Sequence, residues 1–390
     1  MTTHQTADGR GTDGPAAFPG GAGLFRLGPD VAHLNHGSFG AVPLPVSAAR
    51  RSLIEEADAD PDAFFLSAPE RLAAARRRIA AHLDADPEGI ALVHNATEAA
   101  NLALDALGLR PEDEVLVTDH GYGTVTDAAA RRARVTTVAL DPELPDEEAV
   151  AEAVLGALTP RTTVAVLDQI SSPTARIVAG PGLVAALRER GVRTVVDGAH
   201  APGMLARPLA GEPDLWFGNL HKWAYAPAGS AVLAVAAPYR ARVPAPVPSW
   251  EHAHGFPRAV EYRATADYTG LLAAPEGLDL LASLGAPAVR RHNTELVAYG
   301  TELLSALPGI TPLPYGPELA MRSLRLPRGL ARTHAEAAAL REEIAARLGC
   351  RVLVWAWPTG GGIRLSAQIY NRPEEYERLA AGLKPLLDGG

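Results

Sequence analysis

Four short stretches of this chain carry residue types that could do chemistry. In "FGNLHKWAYAPAG", residues 217–229, Lys222 stands between a histidine and a tryptophan, after an apolar approach. A lysine becomes a nucleophile near neutral pH when burial or a neighbouring cation lowers its pKa. The plainer alternative is a loop lysine whose stem lies along apolar surface. In "VVDGAHAPG", residues 195–203, Asp197 ends an apolar run at a turn. An acid there can cap a helix, bind a metal or pair with a protonated ring nitrogen. No His/Cys/Asp cluster with metal-ligand spacing lies beside it, so no metal is expected. In "HNATEAAN", residues 94–101, small and hydroxyl residues open a helix, whose free N–H groups and dipole favour an anion. In "GIRLSAQIYN", residues 362–371, Arg364 interrupts an apolar strand. A carboxylate ligand or a structural salt bridge would satisfy it.

Taken together these are an amine nucleophile, an acid for a ring nitrogen, a phosphate cradle and a carboxylate clamp. Pyridoxal phosphate acting on an amino acid requires that set.

The elements that must hold these residues are legible in outline. "ALVHNATEAANLALDAL" reads as strand, turn and helix. "DEVLVTD", "RTTVAVLDQI", "VRTVVDGAH", "LWFGNLHK" and "SAVLAVA" read as apolar strands, with helices such as "PGLVAALRERG" between. That rhythm predicts a mostly parallel sheet buried on both faces, with ligands at the strand ends. After Ala237 a Pro-rich irregular segment leads to a smaller α+β unit. We expect a disordered tail over residues 1–24, a large domain over 25–280 and a small C-terminal domain over 281–390.

With 390 residues, 47% of them apolar, the chain can bury a sizeable core. A formal charge of -9 gives no sign of a nucleic-acid partner or an anionic-membrane surface. No apolar run is long enough to cross a bilayer. The polar, Gly-rich start lacks the apolar centre of a signal peptide. A single cysteine, Cys350, excludes an internal disulfide and fits a cytoplasmic location.

From about Leu34 to the last helix the chain resembles the class V aminotransferases, fold-type I pyridoxal-phosphate enzymes, and most of all their isopenicillin N epimerase-like branch. "LNHGSFGAVP", "DPDAFF", "NATEAANLAL", "TDHGYG", "SSPTARI", "DGAHAPG", "GNLHKW" and "RLSAQIYN" carry the resemblance, in that order. It implies a mostly parallel seven-stranded-type sheet in the large domain. It implies that Lys222 forms a Schiff base with the cofactor and shuttles the Cα proton. Asp197 would keep the pyridine nitrogen protonated, and His200 would bond the phenolic oxygen. Ala96 and Thr97 would bind the phosphate, helped by Asn219 and His221. Tyr122 would stack on the ring, with His120 as the substitute, and Gln169 would lie at the ring edge. Arg364 would hold the substrate carboxylate, with Asn35, His36 and Gly37 on its other side. "RATADYTG" resembles a Gly-Thr-x-Asp segment that reaches the neighbouring subunit's phosphate, so a homodimer with Thr265 in the partner's site is implied. Ala264 stands where that segment has glycine.

Cysteine desulfurases of the superfamily carry a nucleophilic cysteine on a loop before the arginine. Here Cys350 opens "CRVLVWAW", which reads as a buried position. The reaction is left between epimerisation at Cα, with His36, Tyr122 or water as the second proton donor, β-elimination at a C–S bond, and transamination. Phe39, Trp250, His252, His254 and Tyr268 are candidates for the side-chain pocket. A non-catalytic cofactor- or partner-binding protein is the alternative outside enzymology.

Overall fold

A computed structural model describes residues 14–357 and 359–388. Seven strands form the large sheet: β1 (Ile90–Val93), β2 (Glu114–Thr118), β3 (Arg134–Val138), β4 (Thr162–Asp168), β5 (Arg193–Asp197), β6 (Leu215–Asn219) and β7 (Ala231–Val235). Their order is β1-β7-β6-β5-β4-β2-β3. All neighbours pair in parallel except at β7, which runs antiparallel to both β1 and β6. The expected mostly parallel seven-stranded sheet is therefore present.

Successive residues of these strands feed two separate cores. Leu167, Val196 and Trp216 join one, with Leu72 and Ile79 of the helix Pro61–Leu83. Val166, Val195 and Phe217 join the other, with the helix Ala96–Leu107. Both faces are covered, which is why the strands read as continuous apolar runs and not as alternation. By the same two-residue period, Asp168, Asp197 and Asn219 emerge at the strand ends on the second face.

A smaller antiparallel sheet orders Leu353–Trp355, Gly362–Ser366, Met321–Arg325 and Thr311–Pro312. The segment "CRVLVWAW" divides between two sheets. Cys350–Arg351 leaves to pair in parallel with Ala32–His33. The segment before residue 41 is stitched to the C-terminal part at several points. Ser366 N donates to Leu34 O at 2.9 Å, and Gly37 N donates to Ser366 Oγ at 3.3 Å. His36 Nδ1 lies 2.9 Å from Tyr370 Oη.

Residues 14–24, expected within a disordered tail, pack against the rest of the chain. Among them, Phe18 meets the His292 ring edge-on, and Gly21 lies so close to the Ile369 backbone that a Cβ would sit 2.1 Å from its carbonyl oxygen. Apolar docking orders a segment whose Gly and Pro content reads as loose. Residues 1–13 lie outside the described part. No helix among the described residues is long and apolar enough to cross a membrane.

Candidate active site

Lys222 sits in a one-turn helix, Leu220–Trp223, entered from β6. Three glycines from distant segments crowd this turn. A Cβ at Gly40 would lie 2.3 Å from His221 O and 2.4 Å from Lys222 O. One at Gly203 would lie 2.3 Å from Trp223 O, and one at Gly277 2.5 Å from Ala224 O. The backbone that carries the lysine is therefore clamped by close main-chain approach.

Burial, the largest influence, lowers the Lys222 ammonium to about 8, with Arg364 adding to the effect against the attraction of Asp197. Its Nζ is 3.2 Å from His200 Nε2. Trp223 Nε1–H donates to His200 Nδ1 at 3.4 Å. Burial and Lys222 hold the His200 ring neutral. With Nδ1 accepting, the ring proton sits on Nε2 and points at Lys222, an arrangement open only to the free amine. The neighbours in "HKW" thus have separate work: Trp223 fixes a tautomer, and His221 Nδ1–H donates to Ser230 O at 2.9 Å.

A cavity of about 450 Å³ opens above Lys222. Asn35, Ala96, Thr97, Tyr122, Asp197, His200, Asn219 and His221 line it with Lys222, as do Asp168, Ser38 and Ser172. At one end stands the start of the helix Ala96–Leu107. Asn95 caps it, its Oδ1 accepting from Glu98 N at 2.9 Å, while Ala96 N donates to Asn219 Oδ1 at 2.9 Å. His221 is a bare acceptor at Nε2 when neutral, so an anion contact from that atom needs a second ring proton. Asp197, 4% exposed, accepts from Ala199 N at 2.9 Å, and burial raises its carboxyl to about 6.

Behind the cavity-lining residues Asn35, Ser38 and Ser172, Arg364 is fully buried. Its Nη1 donates to Ser172 O and Oγ at 2.8 and 2.9 Å, and its Nη2 to Asn35 Oδ1 and Ser38 Oγ, each at 2.9 Å. All four acceptors are neutral, and Nε has no partner among the described residues. Burial brings its pKa down to about 9. A buried guanidinium without an acid is costly, so this donor set fits an incoming carboxylate. Gly37 leaves room for it, since a Cβ there would lie 2.5 Å from Met321 Sδ and 3.2 Å from Arg364 Nη2.

Three expected residues are placed elsewhere. Gln169 does not reach the cavity: its Oε1 accepts from Trp216 Nε1 at 2.9 Å and its Nε2 donates to Pro208 O at 2.8 Å. It follows β4 on the opposite face of the sheet, and its neighbour Asp168 takes the cavity side. His36 is buried behind Trp223, ring centroids 4.9 Å apart, and bonds to Tyr370 and Gln368. Burial lowers it to about 3, so it has no proton to give near neutral pH. Thr265 lies exposed outside its own cavity, beside Ala264 at φ 58°, a left-handed conformation that favours the glycine expected there. His120 is buried edge-on against Trp357, which leaves the exposed Tyr122 ring at the cavity mouth.

Of the proposed side-chain pocket residues, Phe39 lines the cavity. Tyr268 is buried and stacked on Tyr262, while Trp250 is 83% exposed. His252 and His254 form an exposed turn outside the cavity. Cys350 is buried and away from the cavity, its pKa raised by burial. Asp168, Ser38 and Ser172 were missed by sequence reasoning. The amine, neutral imidazole, buried acid, helix-start cradle and acid-free guanidinium fit pyridoxal phosphate with an amino acid.

The aminotransferase class-V family model matches residues 64–379. Isopenicillin N epimerase of Streptomyces clavuligerus is 35% identical, over 93% of this chain and 97% of that protein. Putative L-cysteine desulfhydrase 1 of Oryza sativa subsp. japonica is 28% identical, over 92% and 84%. The cystine C-S lyase C-DES, solved with cysteine persulfide, shares the fold with a TM-score of 0.80 at 21% identity, covering 94% of this chain and 99% of that one.

Proposed function

The chain belongs to the class V aminotransferase family of pyridoxal-phosphate-dependent enzymes, and from that premise we propose that it epimerises or racemises an amino-acid substrate at Cα. One observation carries the reading: a desolvated, free-base-competent Lys222 lines a cavity with Asn35, Ser38 and Ser172, the residues that hold the Arg364 guanidinium, which has no acid partner among the described residues. The identity to an isopenicillin N epimerase over nearly the whole chain favours that reaction over the others.

Pyridoxal phosphate, when bound, supplies an electron sink that acidifies the Cα–H of an amine attached to it. Ala96, Thr97 and Asn219 would hold its phosphate at the helix start. Asp197 would hold the ring nitrogen, and His200 the ring's oxygen side. Arg364, with Asn35 and Ser38, fixes the substrate carboxylate and so the direction of the Cα–H bond. Lys222 Nζ accepts that proton. Epimerisation then needs a donor on the opposite face. Tyr122, exposed at the cavity mouth, or a water beside it has that role.

A second reading is supported by the L-cysteine desulfhydrase relatives. Deprotonation by Lys222 is common to both reactions, and a β-eliminating lyase needs no second donor. Loop-cysteine persulfide chemistry is disfavoured by the position of Cys350. We further propose a cytoplasmic homodimer in which Thr265 completes the partner's phosphate site, which sedimentation of the purified protein would check.

The deciding experiment is NMR in heavy water on the cofactor-loaded enzyme with a panel of amino acids and cysteine thioethers. Cα deuteration with both enantiomers appearing supports epimerisation. Pyruvate with ammonia and a sulfur fragment supports the lyase. Lys222→Ala should abolish either.

A further inference from the structure

Two acids line the cavity, Asp168 and Asp197, and the mechanism above uses only one. They are register partners on adjacent parallel strands, at the last residue of β4 and of β5. Paired residues of a sheet point to the same face on strands about 4.8 Å apart. Asp168 is 5% exposed and Asp197 4%. Two carboxylates cannot both stay ionised at that spacing, out of water, without a matching cation for each. One cation, Lys222, stands near both, and it is itself inclined to lose its proton. The rings of His200 and His120 are both kept neutral by burial, and Arg364 is engaged with Ser172, Asn35 and Ser38. Asp197 has the Ala199 N–H to stabilise its anion. Asp168 faces the main-chain N–H of Tyr122 and bears the repulsion of Asp197.

We propose that Asp168 is held as a neutral carboxylic acid beside ionised Asp197, so that the pair carries one negative charge while the Asp168 carbonyl oxygen anchors the Tyr122 backbone at the cavity mouth. Asp168 is then a positioning residue. It lets the cofactor nitrogen meet a single carboxylate, and it fixes the start of the helix Gly123–Ala130. Replacing the acid by its amide should be silent, whereas loss of its shape should not.

The inference rests on the cofactor reading only for its affinity arm. The direct test is infrared spectroscopy of the full-length chain labelled with carboxyl-13C aspartate, with and without pyridoxal phosphate, near neutral pH. The label separates aspartate from Glu261, whose carboxyl burial raises to about 7. A protonated-aspartate band present in the wild type and lost in Asp168→Asn is expected. In the affinity arm, Asp168→Asn keeps the pyridoxal phosphate Kd within about threefold, while Asp197→Asn raises it by about tenfold or more. Asp168→Ala, which removes the acceptor for Tyr122 N–H, changes the circular dichroism of the bound cofactor, and Asn at the position restores it. A band that survives Asp168→Asn, or no band in the wild type, overturns the proposal. So does an Asp168→Asn variant that loses affinity as Asp197→Asn does. If the wild type binds no cofactor at all, the cofactor reading fails and the infrared result still decides the state of Asp168.

Discussion

Gly40→Ala adds one methyl group to the segment that presses on the lysine turn. That methyl carbon would lie 2.3 Å from His221 O, 2.4 Å from Lys222 O and 3.0 Å from Lys222 Cα. Ordinary contact begins near 3.4 Å, so a gap of about 1 Å must open. All three opposing atoms are main chain, and no side chain can rotate away. Overpacking of this kind costs about 1–3 kcal/mol. Displacing a catalytic group by about 1 Å can slow turnover by about 100-fold. We expect Gly40→Ala to unfold at lower denaturant by an amount in that range, to remain folded in buffer, and to lose kcat far more than its stability loss explains. The assay pairs guanidinium unfolding with turnover and with the rate at which Lys222 captures pyridoxal phosphate. Wild-type unfolding together with wild-type kcat would refute the clamp, because no relaxation that absorbs 1 Å of main-chain overlap leaves Lys222 in place.

Capture of pyridoxal phosphate by Lys222 should rise with pH about a midpoint near 8, since burial lowers the ammonium to about 8 and only the free amine reacts. A stopped-flow profile with a midpoint near that of an ordinary lysine would show that the amine is not desolvated. Arg364→Met should leave thermal stability unchanged or higher, because it removes a buried cation with no acid, yet raise the apparent KM for the amino acid by about tenfold or more. An unchanged KM would remove Arg364 from the substrate site. Arg76→Met should destabilise by about 3–5 kcal/mol in urea unfolding, because it strands Glu261, which Arg76 Nη1 contacts at 2.7 Å where both side chains are buried. A loss below about 1 kcal/mol would mean that Glu261 takes up a proton at little cost.

Sequence reasoning reached the residues that end strands or open helices. Lys222, Asp197, Ala96, Thr97 and Asn219 all sit at such points, where residue type changes abruptly from apolar to polar. It failed on the phase of β4. A strand covered on both faces shows no alternation, so "LDQI" does not say whether Asp168 or Gln169 faces the ligand. The contact between Gln169 and Trp216 could not be read from spacing. His36 looked available beside Asn35 and Gly37, but its ring turns inward to Tyr370, 334 residues away in the chain. Ser38 and Ser172, which hold Arg364, are ordinary loop serines by sequence and acquire meaning only through the guanidinium. Residues 14–24 resemble a tail because Gly and Pro dominate them, and a few apolar side chains dock them regardless.

The stitching of the first strand to the last part of the chain has a consequence for biosynthesis. The cofactor half of the cavity is built from residues 95–222, all within or beside the large sheet. The proposed carboxylate half joins Asn35 and Ser38 to Arg364, more than 320 residues later in the chain. Ala32 pairs with Cys350, and Leu34 with Ser366. Translation runs from the N-terminus, and segments condense as they emerge. A nascent chain can therefore assemble the lysine and the anion cradle while it is still on the ribosome. Its leading segment lacks its Cys350 and Ser366 partners until Ser366 has cleared the exit tunnel. If Arg364 holds the substrate carboxylate as proposed, substrate recognition is acquired after the lysine turn and the helix-start cradle.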